Sequence, residues 1–124
     1  MCIALMDNKP VINIPGPPVA MFYGTDWCTR SIVYHMLNIP MPVRQTVAAT
    51  LTEPIVAPPG MEILCFMELE RSDKGWKTHQ KTWRKTTMAD NLGAGAIYIT
   101  PLDKGIKEPG DIIEVTLLRG EEDF

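Results

Sequence analysis

Residues 61–88, MEILCFMELERSDKGWKTHQKTWRKTTM, decide the fold. Every second residue from 61 to 69 is apolar and glutamates occupy the alternate positions 62, 68 and 70, a period of two that is typical of a half-buried strand. Ser-Asp-Lys-Gly at 72–75 has the length and composition of a hairpin turn, because Gly75 adopts a positive φ at no steric cost. The stretch therefore predicts a β-hairpin over 61–88, whose returning strand runs from Trp76 to about Met88.

Residues 76–92 also fit a helix, with Trp76, Gln80, Trp83 and Thr87 along one side. The strand is favoured because the stretch contains four threonines, and β-branched side chains suit a sheet better than a helix. Both interpretations stay open at this point.

The half of the chain before this hairpin is rich in proline, with nine of the eleven prolines in residues 10–59. Proline donates no backbone hydrogen bond, so this half cannot be a stack of central strands. We expect short extended pieces at 2–6, 11–14 and 19–23, followed by one helix over about 26–38. Thr25 or Asp26 would cap that helix, and the proline at 40 would end it.

Three further strands follow from the pattern of the remaining residues. Apolar and polar side chains alternate over 44–55, and apolar runs recur at 96–102 and 111–118. The order of elements predicts an α+β fold: a mostly antiparallel β-sheet or small barrel with one short helix, residues 26–38, packed on it. We expect a single domain over 1–124 that ends in an acidic tail at 119–124.

The composition is ordinary for a globular chain, with 45% apolar residues, 22% charged residues and a net charge of −3. No run of residues is apolar over the length of a membrane span, and the first residues lack the pattern of a signal peptide, so no membrane association is expected. Three cysteines at scattered positions argue against a disulfide framework and predict a reducing, cytoplasmic location.

Positive charge is concentrated in one part of the hairpin, since residues 71–85 hold six of the twelve lysines and arginines. If this part is extended, alternate side chains form a row on one face: Lys77, His79, Lys81, Trp83 and Lys85. Such a row of cations beside an indole suits an anionic ligand or a protein partner. The competing interpretation is a solvated sheet face whose lysines pair with glutamates across the strands.

Cys28 is the weak candidate for a catalytic residue. The stretch VAMFYGTDWCTRS at 19–31 resembles the strand–loop–helix of thioredoxin-like proteins, and Cys28-x-x-Ser31 resembles a monothiol glutaredoxin motif. The resemblance implies a redox role for Cys28, whose thiolate the start of the predicted helix would stabilise. A packed, inert thiol is the favoured alternative, because cysteine is among the most often buried residues.

No spacing of histidines and cysteines typical of a metal site is found, and no cofactor is expected. Because no set of nucleophile, base and orienting group is visible either, the sequence favours a small non-enzymatic binding or adaptor module that works through the basic strand 74–85. A Cys28-dependent redox or small-molecule enzyme and a self-associating structural subunit, that is a homo-oligomer, are the alternatives.

Overall fold

The computed structural model describes residues 1–81 and 93–124, and of residues 18 and 19 only the backbone. The chain falls into two compact units, Met1–Val43 and Arg44–Phe124, and each is described by itself. The predicted α+β class, with a small barrel and one helical segment, is confirmed. A single domain over 1–124 stays a prediction.

The first unit begins with a two-stranded antiparallel hairpin. Strand β1 is Cys2–Met6 and strand β2 is Lys9–Asn13. Asp7 and Asn8 between them have φ values of 49° and 60°, so both turn residues adopt the left-handed conformation of a type I′ turn. Asp and Asn tolerate this conformation better than other residues with a side chain, which explains the tight turn.

The hairpin is followed by one helical segment in three consecutive parts: α1 (Pro18–Tyr23), a π-helical turn (Gly24–Thr29) and α2 (Arg30–Met36). The segment therefore begins at Pro18 and not near residue 26, so that residues 19–23 are helical where the sequence predicted an extended piece. The physical reason is that a proline in the first turn of a helix loses no hydrogen bond and already has a helical φ.

The end of the helix is as predicted. The Leu37 N–H donates to the Val33 carbonyl at 3.0 Å, and Asn38 then adopts a left-handed φ of 53° just before Pro40. Near the middle of the segment, Gly24 is in close contact with Ile14, whose side chain would lie 2.8 Å from a Cβ at this position. No helix in the described residues is both long and apolar enough to cross a membrane.

The second unit contains a closed five-stranded barrel. Its order around the barrel is β3-β6-β5-β7-β9, and a separate two-stranded sheet pairs β4 with β8. The strands are β3 (Thr46–Leu51), β4 (Ile55–Val56), β5 (Leu64–Ser72), β6 (Gly75–Gln80), β7 (Ala96–Ile99), β8 (Ile106–Lys107) and β9 (Ile112–Leu117).

Strands β5 and β6 form the hairpin predicted around residues 72–75. Gly75 has a φ of 110°, the positive value that the turn required. The returning strand is extended over Gly75–Gln80, and the part of the predicted strand beyond residue 81 lies outside the described residues. Closure of the barrel depends on β3, which pairs in parallel with β6 and antiparallel with β9.

The core fills the barrel with the side chains that alternation predicted to face inward. Its fully buried members include Leu51, Cys65, Met67 and Val115. Buried Thr78 donates its hydroxyl to the Glu68 carbonyl at 2.8 Å, so its polar atom is satisfied within the sheet.

The last residues of the chain are attached to the barrel. After a 3₁₀ turn at Glu121–Asp123, the ring of Phe124 meets Trp76 edge-on at 5.5 Å. Gly95 permits this packing, because a Cβ there would overlap with the Phe124 ring. Glu121 accepts hydrogen bonds from Gln45 at 2.9 Å and from Arg71 at 3.2 Å.

Candidate functional site

The predicted basic row lies on the outer face of β6 as far as the structure describes it. Residues 77 and 79 point away from the core while Thr78 between them is buried, which confirms that this part is extended. Lys81 continues the pairing, since its N–H donates to the Phe66 carbonyl at 2.8 Å. The other two predicted residues, Trp83 and Lys85, lie outside the described residues.

The described residues of this row face carboxylates of strand β5. Glu68 Oε2 lies 3.7 Å from both His79 Nε2 and Lys81 Nζ, and Lys77 stands opposite Glu70 in the register. Exposed pairs of this kind contribute about 0–1 kcal/mol each. They also compete with any anionic ligand for the same cations, so this geometry favours the solvated sheet face.

Cys28 lies in the π-helical turn, inside the helical segment and not in its first turn. The hydrogen bonds of the surrounding backbone are made within the helix, so the free N–H groups expected to stabilise a thiolate are absent around this residue. The thiol is partly exposed, and its Sγ lies 3.7 Å from Met1 Sδ. The helix-start position that motivated the redox alternative is therefore wrong.

Among the described residues, two titratable groups with a shifted pKa, Cys65 and Tyr98, lie in the barrel core. Burial raises the pKa of the Cys65 thiol from 9.0 to about 11. Burial also raises the pKa of Tyr98, and repulsion from Cys65, once that thiol ionises at high pH, and from Asp111 raises it further. Both groups are thus held neutral, which is the state of packed core residues and not of an activated nucleophile. Within residues 1–81 and 93–124, no group of three or more His, Cys, Asp or Glu side chains could hold a metal ion.

A groove of about 640 Å³ on the second unit is a better candidate for ligand contact. It lies between the segment 56–59, which follows β4, and the segment 102–107, which leads into β8. The Ala57 N–H donates to the Gly105 carbonyl at 2.9 Å, and a Cβ at Gly105 would lie 2.9 Å from the Ala57 carbonyl oxygen. The groove floor therefore requires glycine at 105.

The walls of the groove combine apolar and charged side chains. Apolar contacts come from Val56, Pro58, Pro59, Leu102 and Ile106, and charged ones from Asp103, Lys104, Lys107 and Asp111. Asp111 is also part of the adjacent turn, where its Oδ2 accepts the Glu108 N–H at 3.0 Å. Neither Lys104 nor Lys107 has an ion pair with any residue that the structure describes.

This groove was not predicted from the sequence, because its two sides are about 45 residues apart along the chain. The local signals were visible: Pro58-Pro59-Gly60 marks a turn, and Lys104-Gly105 marks another between two short apolar pieces. The pairing of β4 with β8 and the hydrogen bond from Ala57 to Gly105 bring the two turns together.

Comparison with known proteins reveals the same fold inside larger proteins. No protein-family model matches the sequence, and a search of curated proteins finds no match. Among solved structures, the molybdopterin biosynthesis MoeA protein from Pyrococcus horikoshii matches 95% of this chain with 28% of its own, at a TM-score of 0.73 and 18% identity. A molybdenum cofactor biosynthesis protein from Pyrococcus furiosus matches 82% of this chain with 36% of its own, at a TM-score of 0.62 and 20% identity.

A third structure, of a molybdopterin biosynthesis MoeA protein from Pyrococcus horikoshii OT3, matches 81% of this chain with 25% of its own, at a TM-score of 0.59 and 17% identity. At these identities the likeness establishes a shared fold, and the chain spans at most 36% of the length of each of these three proteins. The predicted small non-enzymatic binding or adaptor module is therefore wrong, because this fold is found as a portion of cofactor biosynthesis proteins.

Proposed function

We propose that this chain works in the biosynthesis of molybdopterin or the molybdenum cofactor, in the cytoplasm. The observation that supports the proposal is the match over 95% of the chain, at a TM-score of 0.73, to the MoeA protein from Pyrococcus horikoshii. A match of that coverage includes residues of both compact units, so it does not rest on the common architecture of a small barrel alone.

Within the chain, we propose that the groove between 56–59 and 102–107 contacts molybdopterin, the anionic intermediate of this biosynthesis. Molybdopterin is a phosphorylated pterin, so a site for it needs cations beside a flat apolar wall. Lys104 and Lys107 supply the cations, and Val56 and Ile106 supply apolar surface in a groove whose volume is typical of small-molecule sites. The short β4–β8 sheet holds both sides in place.

A chimera tests this proposal. In the chimera, this chain replaces the matched segment of the Pyrococcus horikoshii MoeA protein. The chimera is expressed in a bacterial strain that lacks its own MoeA protein. We expect the activity of a molybdenum-cofactor-dependent enzyme, such as nitrate reductase, to be restored. A chimera that is folded by circular dichroism and sizing, but restores nothing where the parental protein does, would contradict the proposed function.

The contribution of the groove is tested in the same chimera with a matched pair of double variants. Lys104→Ala with Lys107→Ala should lower the restored activity at least about tenfold, since one contact to a charged group contributes roughly 1.5–3 kcal/mol and about 1.4 kcal/mol corresponds to a factor of ten. Lys74→Ala with Lys77→Ala removes the same charge from the β5–β6 hairpin and should leave the activity unchanged. Equal loss in both double variants would mean that net charge, and not the groove, is responsible.

A further inference from the structure

Residues 119–124, which we call the strap, lie against the barrel after strand β9 ends. Among the described residues, the last backbone hydrogen bond before the strap is made by Leu118, whose N–H donates to the Gly95 carbonyl at 2.9 Å. The backbone hydrogen bonds of the strap itself close a 3₁₀ turn. In the described part of the chain, the contacts that attach the strap to the barrel are therefore made by side chains.

The first of these side chains is that of Glu121. Each of its carboxylate oxygens accepts a hydrogen bond, one from Gln45 Nε2 at 2.9 Å and the other from an Arg71 guanidinium nitrogen at 3.2 Å. The two donors come from different strands of the ring, since Gln45 directly precedes β3 and Arg71 lies near the end of β5. The Glu121 side chain is 36% exposed and that of Arg71 is 61% exposed, so water competes for this ion pair and the contact is weak.

The second side chain is that of Phe124, three residues further along. Its ring packs edge-on against Trp76 and occupies the space that the missing Cβ of Gly95 leaves open. The guanidinium carbon of Arg71 lies 5.0 Å from the centre of the Trp76 ring. Arg71 therefore contacts both the carboxylate of Glu121 and the indole on which Phe124 packs.

Four residues of the barrel form this site, which we call the Trp76 cleft: Gln45, Arg71, Trp76 and Gly95. The cleft binds two side chains of the strap, a glutamate and a phenylalanine, at a spacing of three residues. A segment of another protein with the same two residues at the same spacing can make the same contacts, and recognition of acidic motifs by arginine is a recurring mode of peptide binding. The Trp76 cleft shares no residue with the groove between 56–59 and 102–107, so it is a separate site.

We propose that the Trp76 cleft binds an acidic Glu-x-x-Phe segment of a partner protein, and that the strap is an autoinhibitory occupant which this segment displaces. The strap shows the chemistry that the cleft accepts, because its residues 121–123 are Glu-Glu-Asp and the charged donor of the cleft is Arg71.

The tether of the strap determines which segment can displace it. A segment joined by a short linker competes at an effective concentration on the order of 1 mM. A second copy of the chain carries the same motif, but its strap is held in its own cleft at that effective concentration. A partner whose Glu-x-x-Phe segment is not already bound within its own chain is therefore the favoured occupant.

The test is an NMR titration of the full chain with a synthetic peptide of residues 118–124, LRGEEDF, amidated at its end. Binding is followed at the indole N–H signal of Trp76, which is assigned by its absence in Trp76→Phe. Phe124→Ala should tighten binding of the peptide at least about tenfold relative to the parent chain, because the strap then no longer fills the aromatic part of the cleft. The same peptide with Phe124→Ala should not bind.

A second pair of variants leaves the Phe124 ring in place, so it does not depend on the folding of Phe124→Ala. Glu121→Gln removes the charge that Arg71 binds and should tighten binding of the peptide about two- to fivefold, the range expected for an exposed ion pair. Glu122→Gln removes the same charge from the next residue of the strap, which is exposed, and is the matched control. It should bind the peptide as the parent chain does.

Three results would overturn the inference. If the Trp76 signal of the folded variants does not move with the peptide, the cleft recognises no segment outside its own chain. If the parent chain binds the peptide as tightly as Glu121→Gln and Phe124→Ala do, the strap does not occlude the cleft. If light scattering shows a dimer of the parent chain that Phe124→Ala abolishes, the occupant is a second copy and not a partner protein.

Discussion

Both compact units contain many apolar residues, but the second unit buries a core of them and the first unit buries none among its described residues. All sixteen apolar residues that are buried within the described part of the chain lie in Arg44–Phe124, and none lies in Met1–Val43. The barrel pairs its strands around a closed ring and encloses its apolar faces, whereas a hairpin and a short helix can do neither. Closure of the barrel, and not the number of apolar residues, therefore determines which unit buries its apolar side chains by itself.

The largest expected effect comes from the same substitution made in each unit. Met67→Ala, at a fully buried position, should lower the free energy of unfolding by about 2–5 kcal/mol through lost packing and a cavity. Met36→Ala, at a position that is 66% exposed, should change it by no more than about 0.5 kcal/mol. Urea unfolding followed by circular dichroism measures both, and equal effects would disprove the contrast between the units.

The second comparison sets a buried thiol against an exposed one. The pKa of the Cys65 thiol is about 11 in the folded barrel and near 9.0 when the chain is unfolded, so the contribution of Cys65 to stability is complete below pH 9 and is lost as the pH rises to about 11. The difference corresponds to about 2–3 kcal/mol.

Unfolding measured between pH 8 and 11.5 tests this contribution. Cys65→Ala should reduce the fall in the free energy of unfolding with rising pH to the part that comes from Tyr98. Cys2→Ala should preserve the whole fall, because Cys2 is exposed. If both variants decline as steeply as the parent chain, the Cys65 thiol is not the source.

A third comparison uses glycine. Gly105→Ala should destabilise the second unit by about 1–3 kcal/mol, because the new Cβ would lie 2.9 Å from both the Cβ and the carbonyl oxygen of Ala57. Gly16→Ala, in the first unit, meets no atom within 4 Å and should change stability by less than about 0.5 kcal/mol. Thermal unfolding measures the two, and a neutral Gly105→Ala would show that the sides of the groove are free to separate.

The smallest expected effect concerns the outer face of the barrel. Glu68→Gln removes the carboxylate beside His79 and Lys81 and should cost about 0–1 kcal/mol, with most of the loss suppressed at high salt. Glu62→Gln, for which no ion pair exists within residues 1–81 and 93–124, is the control and should show no such dependence on salt. A loss for Glu68→Gln that persists in high salt would mean that Glu68 contributes more than a solvated ion pair.

The elements that local signals specify were predicted from the sequence. The hairpin around Gly75 and the helix end before Pro40 follow from the period of apolar residues and from backbone preferences at single residues. The start of the helix was missed because residues 19–23 were interpreted as an extended piece, although a proline such as Pro18 is well suited to the first turn of a helix.

The candidate site was not predicted, for a physical reason that also applies to closure of the barrel. Both depend on pairing between residues that are far apart in the sequence: Ile55 with Lys107 for the groove, and β3 with β6 and β9 for the ring. Periodicity predicts that a strand exists but not which strand lies beside it. The basic row stays a prediction, and the position of Glu68 across the sheet from it becomes visible only in the register.

The position of β3 in the ring has a consequence for synthesis on the ribosome. Thr46 pairs with Thr116, and both neighbours of β3 come later in the chain. At translation rates of about 5–20 residues per second, β3 waits roughly 3–13 s after it is made before the end of β9 exists. Its other neighbour, β6, is complete at residue 80, so β3 has two open edges before that point and one open edge until β9 is made, and its apolar face stays prone to aggregation over the whole interval.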